Sequence, residues 1–219
     1  MARPSLLHVL TRLFEGQTLL RILMNEELRD FTLTGKVVDV GGGHNPDYFK
    51  YLRREEGSQV EMVDGSTTGI DFETEALPYD TASLDTVLLC NVLEHVYHHQ
   101  HLVGEVHRVL KPGRTLIGFV PFWIGYHPDP HDYFRYTHEA LQRILEEGGF
   151  VEVQIRPIGR GPLLANFNTL VLSVPKILRP LMYLVYAPFD ALFCRLRPKV
   201  VKRTPLGYVF SARKGKSHV

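Results

Sequence analysis

The chain carries almost no excess charge and only two cysteines, and these shortages exclude several classes of protein. Its 25 Lys and Arg residues nearly balance 24 Asp and Glu residues, for a formal net charge of +1. A nucleic-acid binder that relies on bulk electrostatic attraction needs a clear positive excess, so we expect no nucleic-acid partner. Cys90 and Cys194 lie far apart and form no ligand or redox pattern, which favours a reduced, cytoplasmic compartment.

Long apolar runs are also scarce. The apolar stretch from Leu163 to Phe193 is broken by prolines and charged residues, so it lacks the ~20 uninterrupted apolar residues of a spanning helix. No secretory signal is apparent, because His8 and Arg12 interrupt the first apolar run. Apolar residues recur there at helical spacing, so residues 1–34 are predicted to be helical.

Short apolar runs alternate with helical patterns along the rest of the chain, whose 219 residues suit one globular domain. Strands are predicted at residues 37–40, 60–63, 70–72, 84–89, 115–120, 150–155 and 208–211. Helices are predicted from Pro46 to about Gly57, from His101 to Leu110, and from the Thr137 cap to Gly148. The alternation indicates a mostly parallel sheet covered by helices on both faces.

A glycine turn, Gly41-Gly42-Gly43, follows the first predicted strand. Glycine has no Cβ, so the backbone of such a turn can approach a ligand closely, although a plain strand-to-helix turn has the same composition. Asp64 follows the second predicted strand, where a carboxylate can accept hydrogen bonds from both hydroxyl groups of a ribose. The pair favours a nucleoside-binding site.

The residues after the turn indicate which nucleoside cofactor fits. A dinucleotide places its pyrophosphate on the free N–H groups of the following helix. Pro46 has no N–H group, and Asp47 would repel a phosphate. The sequence therefore favours a cofactor that has a ribose but no phosphate, such as S-adenosylmethionine.

An ordered series of motifs extends this pattern. The series comprises Asp39-Val40-Gly41-Gly42-Gly43, Val63-Asp64, Asp71-Phe72, Leu77-Pro78-Tyr79, Ser83-Leu84-Asp85-Thr86-Val87, Asn91-Val92-Leu93-Glu94-His95-Val96 and Glu105-Val106-His107-Arg108-Val109-Leu110-Lys111-Pro112-Gly113. From roughly Gly35 to Ile155 the chain resembles class I S-adenosylmethionine-dependent methyltransferases, most closely the group with ubiquinone- and menaquinone-pathway enzymes and enzymes of glycan and lipid biosynthesis. The resemblance implies a Rossmann-like α/β fold with a mostly parallel seven-stranded sheet, helices on both faces and S-adenosylmethionine as cofactor.

The chain is thereby divided into four expected parts. Residues 1–34 form the N-terminal helical segment, and residues 35–158 form the cofactor-binding core. Residues 159–204 form a helical insertion before the last strand, and residues 205–219 form that strand and a tail.

The resemblance also implies roles for single residues. The glycine turn would pass beneath the methionine part of the cofactor, Asp64 would hold the ribose, and Asp71 with the Phe72 N–H group would bind the adenine. The implied cofactor residues are Asp39, Gly41, Gly42, Gly43, Asp64, Asp71, Phe72, Asn91, Val92 and His95. Asn45 stands where many members have a third glycine, which leaves the path of the loop open.

Aromatic and ionisable residues crowd residues 121–137, after the fifth predicted strand, where loops commonly build binding sites. His127 and His131 are candidate general bases for an acceptor that must lose a proton, and Asp132 is a candidate to orient one of them. Trp123, Tyr133 and Arg135 are candidates for binding the acceptor. Each has a structural alternative, such as an Arg135 ion pair or a Tyr133 packed in the core.

Four histidines lie close together in the sequence: His95, His98, His99 and His101. They have no neighbouring cysteine and no regular ligand spacing, so we predict no metal site from them.

Residues 161–200 carry two interpretations. One is a helical lid packed over the active site, and the other is an element that lies on a membrane, with its basic residues over anionic lipid. The second suits a lipid-linked acceptor, such as a quinone precursor or a lipid-carried sugar, and a membrane-associated location; otherwise we expect a small-molecule acceptor. Two further functions stay open, a non-catalytic binding module at a membrane surface and, disfavoured by Pro46, a nicotinamide-dependent oxidoreductase.

Overall fold

The computed structural model describes residues 4–43 and 46–216. Seven α-helices lie in these residues: α1 Leu6–Glu15, α2 Leu19–Leu28, α3 Gly65–Thr68, α4 His99–Val109, α5 His138–Glu147, α6 Pro162–Leu170 and α7 Arg179–Leu196. The eight described strands are β1 Thr32–Leu33, β2 Lys36–Val40, β3 Arg53–Arg54, β4 Gln59–Val63, β5 Leu84–Cys90, β6 Leu110–Pro121, β7 Phe150–Ile158 and β8 Gly207–Lys214. Short 3-10 helices span Asp47–Lys50, Leu93–His95, Val171–Ser173, Lys176–Leu178 and Pro198–Arg203.

The main sheet has six strands in the order β4-β2-β5-β6-β8-β7. Strands β4, β2, β5 and β6 are parallel to one another, and β8 is antiparallel to both β6 and β7. Strands β1 and β3 form a separate parallel pair. The predicted α/β class and the mostly parallel order are confirmed, but the sheet has six strands rather than seven.

The strand predicted at residues 70–72 is wrong. The Asp71 carboxylate accepts hydrogen bonds from the Glu73 N–H group, at 2.9 Å, and from the Thr74 hydroxyl, at 2.8 Å. An aspartate side chain that accepts hydrogen bonds from the residues two and three positions later favours a turn over a strand, and the backbone turns here.

The helix predicted from Pro46 to Gly57 is also wrong, because only Asp47–Lys50 is helical and that turn is a 3-10 helix. The buried side chains in and after it, Tyr48, Phe49, Tyr51 and Leu52, have helical spacing, so periodicity alone would favour a helix. The chain leaves the helical path because β3 pairs as a strand with β1. Asn45 was predicted to cap this helix and stands where many similar proteins have a third glycine. It lies outside the described residues.

Helices cover both faces of the sheet, as expected. Successive strand residues point to opposite faces. Val37 packs in the cluster that includes α1, α2 and α6, whereas Val38 packs in the cluster that includes α4 and α5. Helices α6 and α7 form the helical insertion before the last strand.

Candidate active site

The carboxyl ends of β2, β4 and β5 meet at one edge of the sheet, because these strands are parallel neighbours. The glycine turn leaves β2 at this edge, and the Gly41 N–H group donates to the Val63 carbonyl at 2.7 Å. Asp64 follows β4 and Asn91 follows β5. The residues that the sequence assigned to three separate motifs therefore converge.

Gly42 lies so close to neighbouring side chains that only a residue without a Cβ fits there. A Cβ added to Gly42 would overlap the Asp39 carboxylate and would lie 2.9 Å from the Tyr48 hydroxyl oxygen. The Tyr48 hydroxyl donates to Asp39 Oδ2 at 2.6 Å. Because both side chains are buried, neither can move aside without opening the core beneath the turn.

Asp39 therefore supports the turn from below. Burial raises the pKa of Asp39 to about 7, although the hydrogen bond from Tyr48 opposes the shift and the nearby Asp64 adds to it. Asp39 lines neither of the two cavities described below.

A cavity of about 1030 Å³ opens at this edge. Nine of the ten implied cofactor residues line it: Gly41, Gly42, Gly43, Asp64, Asp71, Phe72, Asn91, Val92 and His95. The Asp71 oxygens already accept from Glu73 and Thr74, and hydrogen bonding to the Glu73 N–H group lowers the pKa of Asp71. The wall thus carries carboxylate oxygens beside a glycine turn, which suits hydroxyl and amine donors.

A second cavity, of about 850 Å³, adjoins the first. Both cavities are lined by Gly41, Gly42, Asn91, His95 and Asp129, so they meet at the end of β5. The N-terminal segment supplies one wall of the second cavity, through Thr18, Leu20, Arg21 and Met24 among others. The sequence predicted helices in this segment but gave no sign that they reach the site.

The loop after β6 separates the two histidines that were predicted as general bases. His127 lines the second cavity, whereas His131 and Tyr133 line the first. Trp123 lines neither cavity and is exposed, so the cavities give its predicted role no support.

Asp132 holds this loop in shape. It forms an ion pair with Arg135, with oxygen–nitrogen distances of 2.6 and 2.8 Å, and accepts the His127 backbone N–H group at 2.9 Å. The Arg135 guanidinium holds the pKa of Asp132 well below its usual range. Arg135 therefore forms an ion pair, which was the structural alternative to its predicted role in binding the acceptor.

Glu94 is a site residue that the sequence did not identify. Its side chain is 0% exposed, and Oε1 lies 3.8 Å from His95 Nε2 and 3.9 Å from His127 Nε2. The Glu94 carboxylate raises the pKa of His127, and partial burial opposes this shift. His95 was predicted, but His127 lies on another loop, so no local pattern linked the three.

Residues 38–118 match a family of methyltransferase domains. No curated protein sequence matches the chain. Similar solved structures include an S-adenosylmethionine-dependent methyltransferase from Archaeoglobus fulgidus, with 18% identity over 94% of this chain and 98% of that chain and a TM-score of 0.54. Phosphoethanolamine N-methyltransferase 2 of Haemonchus contortus, in complex with S-adenosylmethionine, has 15% identity over 90% of this chain and 52% of that chain, with a TM-score of 0.52.

The same likeness extends to the cyclase SpnF, at 17% identity over 90% of this chain and 82% of that chain with a TM-score of 0.52. At such identities the solved structures show the fold, and that fold hosts more than one reaction. The matched domain adds the reaction type, methyl transfer. Residues 38–118 therefore form a methyltransferase domain, in a fold that the chain shares with S-adenosylmethionine-dependent methyltransferases.

Proposed function

We propose that the larger cavity binds S-adenosylmethionine and that the adjoining cavity binds the methyl acceptor. The observation that carries this assignment is that the two cavities meet at Gly41, Asn91 and His95, on the edge where the parallel strands end. A methyl group on a sulfonium held at that junction would face the second cavity. The acceptor atom would attack in line, its bond to the methyl carbon forming as the carbon–sulfur bond breaks and S-adenosylhomocysteine is released.

The cofactor residues keep the roles that the sequence predicted. Asp64 binds the ribose hydroxyls, the Gly41 to Gly43 turn passes beneath the methionine part, and Asp71 with Phe72 holds the adenine. Their common support is that all of them line the larger cavity. Asp39 acts through the turn that it supports rather than by contact with the cofactor.

On the acceptor side, His127 is the general base that takes a proton from the acceptor, and Asp132 positions His127. The support is that His127 lines the second cavity and that Asp132 accepts the His127 backbone N–H group. His131 lies on the cofactor's side, which makes it the weaker candidate.

Isothermal titration with S-adenosylmethionine, followed by assays of S-adenosylhomocysteine release, tests this assignment. His127→Ala should lower turnover while sparing cofactor affinity, and His138→Ala, outside both cavities, is the matched control. Equal loss of both properties in His127→Ala would mean a structural role. Stabilisation by NAD and not by S-adenosylmethionine would favour the oxidoreductase, and cofactor binding without turnover on any acceptor would favour the non-catalytic module.

The acceptor that suits the rest of the molecule is lipid-linked, because residues 161–200 present an apolar and basic surface. Two of its charged residues are turned inward: Arg179 is 7% exposed and Asp190 is 2% exposed. Arg179 donates to the carbonyls of Val174 and Gly16, and Asp190 accepts N–H groups at the start of α6. The exposed large apolar residues here are Leu163, Leu170, Leu172, Ile177, Leu178, Leu181, Leu184, Val185, Phe189, Leu192, Phe193 and Leu196.

Exposed basic residues border this apolar surface. They are Lys176, Arg195, Arg197, Lys199, Lys202 and Arg203. Asp190 is the only acidic residue of the sequence between 159 and 204. Apolar side chains beside unbalanced positive charge are what an anionic lipid surface binds.

By length and composition, Lys176–Leu196 is the one described helical segment that could cross a membrane. Its mean hydropathy is 1.3, and 17% of its apolar stretch is buried in the fold. We favour a position on the surface. Spanning would separate Asp190 from α6 and Arg179 from Gly16, and so place charged groups in hydrocarbon without their partners.

Sedimentation with vesicles of phosphatidylcholine, with and without phosphatidylglycerol, tests the membrane contact. The chain should bind the anionic vesicles, and Leu181→Asp with Phe189→Asp should abolish binding. Val151→Asp, at an exposed position on β7, is the control and should bind like the wild type. Absence of binding by the unaltered chain would remove the membrane contact and leave a soluble small molecule as the acceptor.

A further inference from the structure

The Glu94 carboxylate is the most unusual charged group outside the roles given above. It is fully buried, and neither of its oxygens has a hydrogen-bond partner among the described residues. Burying a carboxylate without a hydrogen bond or a close positive charge is strongly unfavourable. The Glu94 carboxylate therefore needs a positively charged partner close to its oxygens.

Two imidazoles lie beside this carboxylate, and each is held with Nε2 towards Glu94. His95 Nδ1 lies 2.5 Å from the His131 carbonyl oxygen, and His127 Nδ1 lies 3.0 Å from the Gly125 carbonyl oxygen. A carbonyl only accepts, so Nδ1 carries the hydrogen in both rings, and in the neutral ring Nε2 is left with its lone pair. This is how proteins orient histidines whose Nε2 binds a metal ion.

We propose that Glu94, His95 and His127 bind one divalent transition-metal ion of the zinc class. One carboxylate and two imidazoles are a common ligand set for zinc, with an open position left for water or substrate. The three ligand atoms lie within 4.8 Å of one another. Ligand atoms around one tetrahedral zinc ion are about 3.4 Å apart, so a small rotation of the partly exposed His127 side chain closes the site.

Proton transfer between Glu94 and His127 is the alternative use of this arrangement. It requires a hydrogen on His127 Nε2, pointing at the carboxylate. In the neutral ring the contact with the Gly125 carbonyl places the hydrogen on Nδ1, so this use requires a protonated His127, and Co²⁺ binding distinguishes the two uses. The Arg135 guanidinium also approaches Nδ1, at 3.2 Å, but it is already paired with Asp132.

The ion would lie where the two cavities meet, because His95 lines both and His127 lines the second. This inference rests on the proposed function for its catalytic meaning: a metal ion there would bind an oxygen of the acceptor and lower the pKa of an acceptor hydroxyl. In this arrangement, His127 acts on the acceptor as a ligand of the metal ion. Metal binding itself can be tested without any acceptor.

Titration of chelator-treated protein with Co²⁺, read by visible absorption and by equilibrium dialysis, tests the site. We expect one Co²⁺ per chain, with the strong absorption bands of a four-coordinate site. Glu94→Gln and His127→Ala should each weaken binding by more than roughly tenfold. His138→Ala, a histidine outside the cluster, should bind Co²⁺ as the wild type does, and thermal unfolding of each variant checks its fold.

Binding of S-adenosylmethionine to the same metal-free samples separates this inference from the proposed function. If S-adenosylmethionine binds but Co²⁺ does not, or if the variants retain Co²⁺ affinity, the metal site is wrong and the proposed function stands. If Co²⁺ binds through Glu94 but S-adenosylmethionine does not bind, the metal site stands and the proposed function is wrong.

Discussion

The cofactor edge of the sheet and the outer surface of α7 arrange charged and apolar residues in opposite ways. At the cofactor edge, Asp64 and Asp71 face a cavity while the apolar residues pack beneath it. On α7, Arg179 and Asp190 are buried and the apolar residues face outward. One chain thus builds two kinds of surface, one that suits a polar small molecule and one for which we propose contact with an anionic lipid layer.

The largest expected effect compares the inside and the outside of the helical insertion. Phe167 is 0% exposed and its ring lies 5.7 Å from that of Tyr183, whereas Phe189 is 62% exposed. Phe167→Ala should lower the free energy of unfolding by about 3–5 kcal/mol, because it leaves a cavity. Phe189→Ala should change it by no more than about 0.5 kcal/mol. Denaturant unfolding measures both, and equal losses would mean that the outer surface is packed.

The next effect concerns the pH dependence beneath the glycine turn. Burial raises the pKa of Asp39 to about 7, so the folded chain holds this proton at pH values where the unfolded chain has lost it. The stability that Asp39 contributes is full below about pH 4 and is lost as the pH rises to about 7, on the order of 4 kcal/mol in all. Unfolding of the wild type and of Asp39→Asn from pH 4 to 8 measures it; identical pH dependence of the two would contradict it.

A smaller effect concerns cofactor affinity. Asp64→Ala should weaken binding of S-adenosylmethionine by about 1–3 kcal/mol, the cost of losing hydrogen bonds to a charged group. Asp80→Ala, an exposed aspartate that lines neither cavity, is the control. Isothermal titration that shows unchanged affinity for Asp64→Ala would remove the ribose from this position.

The smallest effect concerns single charges beside α7. Lys199→Gln and Lys202→Gln should each weaken binding to anionic vesicles by about 1 kcal/mol at low salt, since each removes one attractive charge near the surface. Arg143→Gln, on α5, should have no effect. Sedimentation at increasing salt concentration measures the series, and equal losses for all three variants would indicate a general charge effect rather than a local surface.

Local patterns predicted much of the cofactor side. β-branched runs marked β2, β4 and β5, and the glycine turn and Asp64 follow them directly in the chain. Parallel strands bring such positions to one edge, so knowing the order of the elements was enough to group these residues. The strand at residues 70–72 was mispredicted because an apolar run says nothing of the hydrogen bonds that Asp71 makes with the next residues.

Other features depend on contacts between distant parts of the chain. Composition could not tell that Arg179 reaches Gly16 or that Asp190 caps α6, so these charges looked like breaks in an apolar segment. Burying them removes these two breaks from the exposed apolar surface. In the same way, Glu94 and His127 belong to separate loops and meet only in the folded chain.

The sequence by itself determined the alternation of strands and helices, the glycine turn and the acidic residues beside it, because these depend on residues close together in the chain. The tertiary structure alone decided that the N-terminal helices wall the second cavity, that Arg179 and Asp190 point inward, and that Glu94 faces two imidazoles. The physical reason is that burial and electrostatic pairing depend on distance in space, which a pattern of neighbouring residues does not encode.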